Sequence, residues 1–349
     1  MKVLVTGGLG FIGSHLCKQL IDHGCYVRCF DNLSRGRLNN VSEIMKKPNV
    51  NFEFVKGDLL NFDEVLRAVT DVDVIYHLGA IVGVKNYVEN PLKVIEVNVI
   101  GTHNLLEVAR KKDISKLVFA STSEIYGKNL GIPLKEDAER ILGTTSIDRW
   151  CYSTSKALDE HACYAYYRQH GLKIVILRYF NAYGPKQECS DYGGVISVFI
   201  RRVMTDQPPQ VHGDGKQTRA FTYIDDIING TILASEKEAA IGETFNLGSN
   251  QETSILELAN LIIQLAGKET RLEPIFIPYE EFYGSFYEDV ERRVPDTTKA
   301  RRILGYKPKI SLEQGLLKTI QWYKQHPERL KALASNHSDP LQISMMSVR

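Results

Sequence analysis

The stretch Met1-Lys-Val-Leu-Val-Thr-Gly-Gly-Leu-Gly-Phe-Ile-Gly13 decides how the rest of the chain is read. The apolar run Val3 to Val5 ends in glycines at Gly7, Gly10 and Gly13. Phe11, Ile12, Leu16, Leu20 and Ile21 then recur at intervals of three and four. The pattern predicts a strand, a tight turn and a helix. Glycine allows the turn its unusual backbone angles and lets the main chain approach a ligand closely. Free N–H groups at the helix start, together with the helix dipole, favour a pyrophosphate there. Asp31 lies at the end of a second expected strand, Tyr26–Phe30, where a carboxylate can accept hydrogen bonds from an adenosine ribose and repel a 2′-phosphate. The expected ligand is therefore a dinucleotide, NAD ahead of NADP, with Arg35 and Arg37 keeping NADP open.

Working outward, strand and helix patterns alternate. Strands are expected at Asn51–Val55, Val72–His77, Lys116–Ala120 and Lys173–Arg178. Helices are expected at Phe62–Val69, Leu92–Lys111 and Tyr152–His170. Such alternation predicts an α/β fold, a Rossmann-like doubly wound parallel sheet with both faces covered. Ligands bind beyond the carboxyl ends of strands in such sheets, which singles out Gly7, Asp31, Asp58, Ala80, Ser121 and Asn181. After Arg178 the regularity breaks at an aromatic loop, Tyr179 to Pro185. Short strands and the helices Val195–Met204, Asp225–Ser235, Ser254–Ala266 and Leu312–Tyr323 follow. We expect a dinucleotide-binding domain over 1–178, with a returning segment near 220–247. A smaller mixed substrate region should span 179–326, and a loose polar tail 327–349.

The 349 residues are 43% hydrophobic, enough for one large or two joined domains. Lys+Arg 43 against Asp+Glu 42 gives a formal charge of +1, which argues against a nucleic-acid or membrane-surface protein. No apolar run approaches the ~20 residues of a membrane span. The chain starts directly on a strand, so no leader and a cytoplasmic location are expected. Cys17, Cys25, Cys29, Cys151, Cys163 and Cys189 form no Cys-x-x-Cys pair, and the nine histidines show no ligand spacing, so reduced thiols and no metal are expected.

Tyr152 and Lys156 stand four apart and share one helix face. A phenol titrates near ~10, and a neighbouring ammonium lowers that value. The pair could take the proton of a sugar hydroxyl as hydride leaves its carbon. Alone, such a spacing is common on helix surfaces. It gains meaning from the upstream Ser121-Thr122 at a strand end, whose hydroxyls could share that proton.

With these residues in view, the chain resembles the extended short-chain dehydrogenase/reductase superfamily, in its NAD-dependent nucleotide-sugar epimerase/dehydratase branch. The matching pieces include Gly7 to Gly13, Asp31-Asn32, Gly57-Asp58-Leu59, His77-Leu78-Gly79-Ala80, Asn98 to Thr102, Ser121 to Gly127, Tyr152-x-x-x-Lys156, Arg178 to Pro185 and Gly213 to Asp226. The resemblance implies oxidation of a nucleotide-diphosphate sugar at C4, with Thr122, Tyr152 and Lys156 as the catalytic group. It puts cofactor contacts at Gly7, Gly10, Phe11, Ile12, Gly13, Asp31, Asn32, Asp58, Leu59, Leu78, Ala80, Asn98, Ser121, Tyr152, Lys156 and Tyr179. Substrate contacts would fall at Asn181, Val195, Arg219 and Arg293. Relatives pair their long helices across a two-fold axis, which implies a homodimer through 92–111 and 152–170.

Glu124 departs from simple 4-epimerases of the branch, where the matching position is usually small and uncharged. It could be the base for a C5 proton, or a loop acid that pairs with Arg149 or Lys128. Ser123, Glu124, Tyr152, Lys156 and Arg293 together resemble the catalytic set of UDP-glucuronate decarboxylases. Arg293 could hold a carboxylate bidentately, or Arg292 and Arg293 could clamp a diphosphate. The expected function is modification of a nucleotide sugar, UDP-linked by preference, through a transient 4-keto sugar. Decarboxylation or 4-epimerisation of a UDP-glucuronate-type substrate leads. A 4,6-dehydratase, a UDP-hexose 4-epimerase and a non-catalytic NAD-binding sensor are the alternatives. An aromatic cluster, Tyr279, Phe282, Tyr283, Phe286 and Tyr287, could line a pocket or an oligomer contact.

Overall fold

A computed structural model describes residues 1–189, 193–278 and 290–331. The aromatic cluster at 279–287 and the tail from 332 lie outside the described residues. Seven strands form one parallel sheet: β1 (Lys2–Thr6), β2 (Tyr26–Asp31), β3 (Phe52–Lys56), β4 (Val74–His77), β5 (Lys116–Thr122), β6 (Ile174–Tyr179) and β7 (Thr244–Leu247). Their order is β7-β6-β5-β4-β1-β2-β3. The chain reverses direction across the sheet between β1 and β4, the switch point where such sheets open a crevice.

Side-chain alternation builds the two faces. Val3 and Val5 of β1 pack with Leu16 and Leu20 of the helix Phe11–Asp22 and with Ile227 and Ile228 of the helix Ile224–Glu236. Leu4 points the other way, into a core shared with Val65, Leu105 and Cys163 from the helices Phe62–Val69, Gly101–Lys111 and Trp150–His170. The expected helices therefore lie on opposite faces of the sheet. The segment Ile224–Glu236 packs back onto the sheet, and β7 extends its edge beside β6.

One expected helix carries a π turn. Over the expected 92–111, Pro91–Ile95 runs without a break through a π-helical turn, Glu96–Ile100, into Gly101–Lys111. The extra residue per turn rotates Asn98 inward. Its side chain accepts from Ile81 N–H at 2.8 Å and donates to Ile81 C=O at 3.3 Å, bracing the loop after β4. π turns of this kind frequently mark functional sites.

A buried ion pair fixes the long helix Trp150–His170 to the sheet. Arg178 on β6 donates to both oxygens of Glu160, from Nε at 2.9 Å and Nη2 at 2.7 Å, and its Nη1 reaches Tyr126 Oη at 2.8 Å. Removing one partner of a buried pair strands the other charge in low dielectric. Arg178→Met is therefore expected to lower unfolding free energy by about 3–5 kcal/mol, measured by urea denaturation followed by circular dichroism. A loss within experimental scatter would contradict this docking role.

Candidate active site

The loops after the strand ends converge on one cleft of about 680 Å³, lined from Gly7 and Asp31 at one end to Asn181, Arg219 and Arg293 at the other. At the β1 turn, Gly7 has φ +65°, and a Cβ there would sit 2.9 Å from Gly79 Cα. A Cβ on Gly13 would come within 2.2 Å of Gly7 O. The helix start is thus packed directly on the turn, and Gly10 to Gly13 line the cleft. Asp31 accepts from Leu9 N–H at 3.1 Å and Leu33 N–H at 2.9 Å, one on each oxygen. Burial raises its carboxyl pKa, opposed by those two N–H groups. Each oxygen retains a lone pair for a further donor. Asn32 reaches Asp58 at 3.0 Å, joining the ends of β2 and β3. Arg35 donates to Asn86 at 2.8 Å and approaches Glu188 at 3.4 Å, and Arg37 lies 4.0 Å from the same carboxylate. Both are partly neutralised, which weakens the case for a 2′-phosphate. The cradle fits a dinucleotide with free ribose hydroxyls.

Phe11, Ile12, Leu59, Leu78, Ala80, Tyr179 and Val195 also line the cleft. Three of the expected contact residues also make bonds within the protein. Asn98 is fully buried against Ile81 and does not reach the cleft wall. Ser121 touches the cleft, but its hydroxyl donates to Glu160 at 2.6 Å. The Tyr179 hydroxyl is engaged with Thr231 at 2.9 Å. His77, the last residue of β4, is buried between Thr6 and Thr102.

Tyr152 and Lys156 line the cleft from the first turns of the long helix. Their electrostatics correct the expectation of an acidified phenol. Burial raises the Tyr152 pKa, and a hydrogen bond with Thr122 only partly offsets it. The Lys156 ammonium instead lies 3.7 Å from Asp159 and 3.9 Å from the centroid of the Phe119 ring. Tyr87 stacks flat on Tyr152, with centroids 4.4 Å apart and planes 4° from parallel. Nothing in the local sequence pattern marks Tyr87. It enters the site because the loop after β4 folds back under Asn98.

Glu124 is neither exposed nor a lone loop acid. Arg293 Nη1 approaches one of its oxygens at 2.6 Å and Arg149 Nη1 the other at 3.1 Å. Burial alone would raise its pKa, but the two guanidiniums hold it down to about 2. Arg293 comes to the cleft by strand alternation. It pairs in register with Arg219 on Thr218–Ala220, and both line the cleft. The neighbouring Arg292 projects outward to Glu252 at 2.8 Å, so the two arginines do not act as one diphosphate clamp. Arg293 is 4% exposed, and its Nε and Nη2 have no hydrogen-bond partner among the described residues.

Among the described residues no group of three or more His, Cys, Asp or Glu could hold a metal, and no helix is long and apolar enough to cross a membrane. A protein-family model described as GDP-mannose 4,6 dehydratase matches residues 4–319. A UDP-N-acetyl-alpha-D-glucosaminuronate decarboxylase of Bacillus cytotoxicus is 40% identical over 93% of this chain and 98% of its own. UDP-glucuronic acid decarboxylase 1 of Xenopus tropicalis is 37% identical over 94% of this chain and 73% of its own. The crystal structure of UDP-glucuronic acid 4-epimerase from Bacillus cereus with UDP-glucuronic acid and NAD superposes with a TM-score of 0.83. It is 33% identical and covers 93% of this chain and 100% of that one. The chain belongs to the GDP-mannose 4,6-dehydratase family within the short-chain dehydrogenases/reductases, and it is an enzyme of nucleotide-sugar modification, of the group that holds the UDP-sugar decarboxylases and 4-epimerases.

Proposed function

We propose that the protein decarboxylates a UDP-linked uronate through a 4-keto sugar, with NAD held in the Gly7–Asp31 cradle and recycled. The observation that carries the substrate class is Arg293: a buried guanidinium on the cleft wall whose Nε and Nη2 have no hydrogen-bond partner among the described residues. Leaving such donors unpaired is costly, and a carboxylate satisfies both. Glu124 between Arg149 and Arg293 leaves the trio with one net positive charge, which complements a uronate and leaves a neutral hexose without a countercharge.

The residues then divide the work. Tyr152, paired with Thr122, takes the C4 hydroxyl proton as hydride departs, and a charged Lys156 on the same helix stabilises the negative charge developing on the phenol. NAD bound alongside supplies the acceptor for the C4 hydride and its source on return. The resulting ketone is β to the carboxylate. The C5–C6 bond can break with its electron pair drawn toward the C4 oxygen, CO2 leaves, and C5 takes up a proton. Arg293 orients the carboxylate for that step. Glu124, held near 2, is a poor base for a C5 proton, which disfavours 4,6-dehydration. A 4-epimerase acting on the same uronate is the second reading, since it needs the same carboxylate clamp. The helices Pro91–Ile95 and Trp150–His170 pack together and expose Leu92 (67%), Ile95 (44%) and Leu158 (51%). That apolar surface supports the homodimer reading.

Incubation with UDP-glucuronate and UDP-N-acetylglucosaminuronate should yield a product lighter by CO2. An unchanged mass with inverted C4 stereochemistry would select the epimerase, and loss of water the dehydratase. Arg293→Met should lose at least about 30-fold in kcat/KM, from about 2–5 kcal/mol for a truncated buried charge pair. Tyr152→Phe should lower kcat by about 10²–10⁴-fold while NAD is still recovered from the purified protein. Full activity in that variant would overturn the mechanism. Leu92→Lys combined with Leu158→Lys should convert a dimer to a monomer in analytical ultracentrifugation, and a monomeric parent protein would refute the dimer.

A further inference from the structure

A column of buried polar groups runs behind Lys156, and none of it touches the cleft's far end. It starts at Thr6, the last residue of β1. Thr6 Oγ1 accepts from Gly79 N–H at 3.0 Å and Leu78 N–H at 3.2 Å. Both its lone pairs are then used, so its own proton goes to His77 Nδ1, 2.7 Å away. That fixes the His77 tautomer. Burial holds the ring neutral, with its pKa lowered to about 3, so its single proton is on Nε2. Nε2 therefore donates to Thr102 Oγ1 at 3.0 Å. The Thr102 hydroxyl then keeps its own proton for the Asp159 carboxylate, whose pKa it lowers. The donors of Thr6 and His77 point the same way, toward Thr102, on the side of Asp159.

From these contacts we infer that Asp159 is a positioning residue for the reaction, the buried counter-ion that keeps Lys156 charged, held ionised by the oriented column Thr6–His77–Thr102. The inference rests on the Tyr152–Lys156 mechanism proposed above. Lys156 is 2% exposed and Asp159 1% exposed, so water supplies little compensation to either charge. Burial lowers the Lys156 pKa, and Asp159 is the principal group opposing it. The other ionisable groups around Asp159 are Lys156, Glu160 and Cys163 on its own helix, Tyr152 one turn further on, and His77 across the column. Glu160 is committed to Arg178, and burial holds Cys163 in its thiol form. Asp159 Oδ2 has no hydrogen-bond partner among the described residues, so Lys156 at 3.7 Å is the cation it faces. Burial raises the Asp159 carboxyl to about 6 against the pull of Lys156 and Thr102. As the pH falls through that value Asp159 takes up a proton, Lys156 loses its counter-ion, and turnover should fall. The column begins on the backbone of Leu78 and Gly79, both in the cleft lining, so the loop after β4 and the charge on Lys156 are mechanically joined.

The test is Asp159→Asn, read in two ways. In protein labelled with ¹⁵N-lysine, the Lys156 Nζ signal (assigned by its loss in Lys156→Met) should report an ammonium at neutral pH in the parent. Its pKa should fall by about a unit or more in Asp159→Asn. This readout needs no substrate, so it separates failure of the inference from failure of the proposed reaction. With UDP-glucuronate turnover followed by release of CO2, kcat should drop at least about 10-fold, the order of the 1.4 kcal/mol that one pKa unit represents. The acid limb near pH 6 should vanish, and KM should change less than kcat. Thr102→Val keeps the shape and removes one donor to the carboxylate, so its acid limb should move to higher pH. An unchanged Lys156 pKa in Asp159→Asn, or an acid limb that persists there, would overturn the inference.

Discussion

The bidentate contact between Arg178 and Glu160 is the constraint on which the site depends. It ties the middle of the helix Trp150–His170 to the strand beside β5, and so fixes where Tyr152 and Lys156 stand relative to Thr122. The same guanidinium holds Tyr126, and the Ser121 hydroxyl donates to the same carboxylate. One buried pair thereby links β5, β6, the turn after β5 and the helix that carries Tyr152 and Lys156. Such pairs add little net stability over apolar packing, because desolvation offsets attraction. What they contribute here is a single allowed position for the helix.

The helix is unusual in what it buries. Tyr152, Ser153, Ser155, Lys156, Asp159 and Glu160 are all inaccessible or nearly so. An interior face made of ionisable groups is tolerated only where each charge meets an opposite one or a donor. Glu160 has Arg178, Lys156 has Asp159 and the Phe119 ring, and Glu124 just outside the helix has Arg149 and Arg293. The helix works as an electrostatic spine as much as a packing element. Arg149, Glu124 and Arg293 carry one net positive charge into the cleft lining, where an anionic substrate would complete the pairing.

The burial that organises these charges also sets the acidity of Tyr152. Sequence spacing argued for a phenol acidified by its neighbour, yet desolvation raises its pKa. Lys156 leans toward Asp159 rather than resting solely against the phenol. In the proposed reaction, deprotonation of the substrate hydroxyl would then be coupled to hydride departure: the charge that makes a phenolate favourable is needed only as the reaction proceeds.

The sequence by itself determined the sheet, its parallel sense and the crevice at its carboxyl edge. Those follow from local periodicity and from glycines whose backbone angles no other residue accepts easily, as at Gly7. It also named most of the residues that line the cleft, since a residue at the end of a parallel strand has nowhere else to project. Tertiary structure alone decided three things. The π turn at Glu96–Ile100 aimed Asn98 at Ile81, in the loop it braces. Strand register put Arg293 beside Arg219 and turned Arg292 to solvent. Burial chose the partners of Glu124 and Lys156 and so their charge states. The reason is common to all three: side chains distant in sequence meet only after packing, and the cost of burying a charge depends on what packing places beside it.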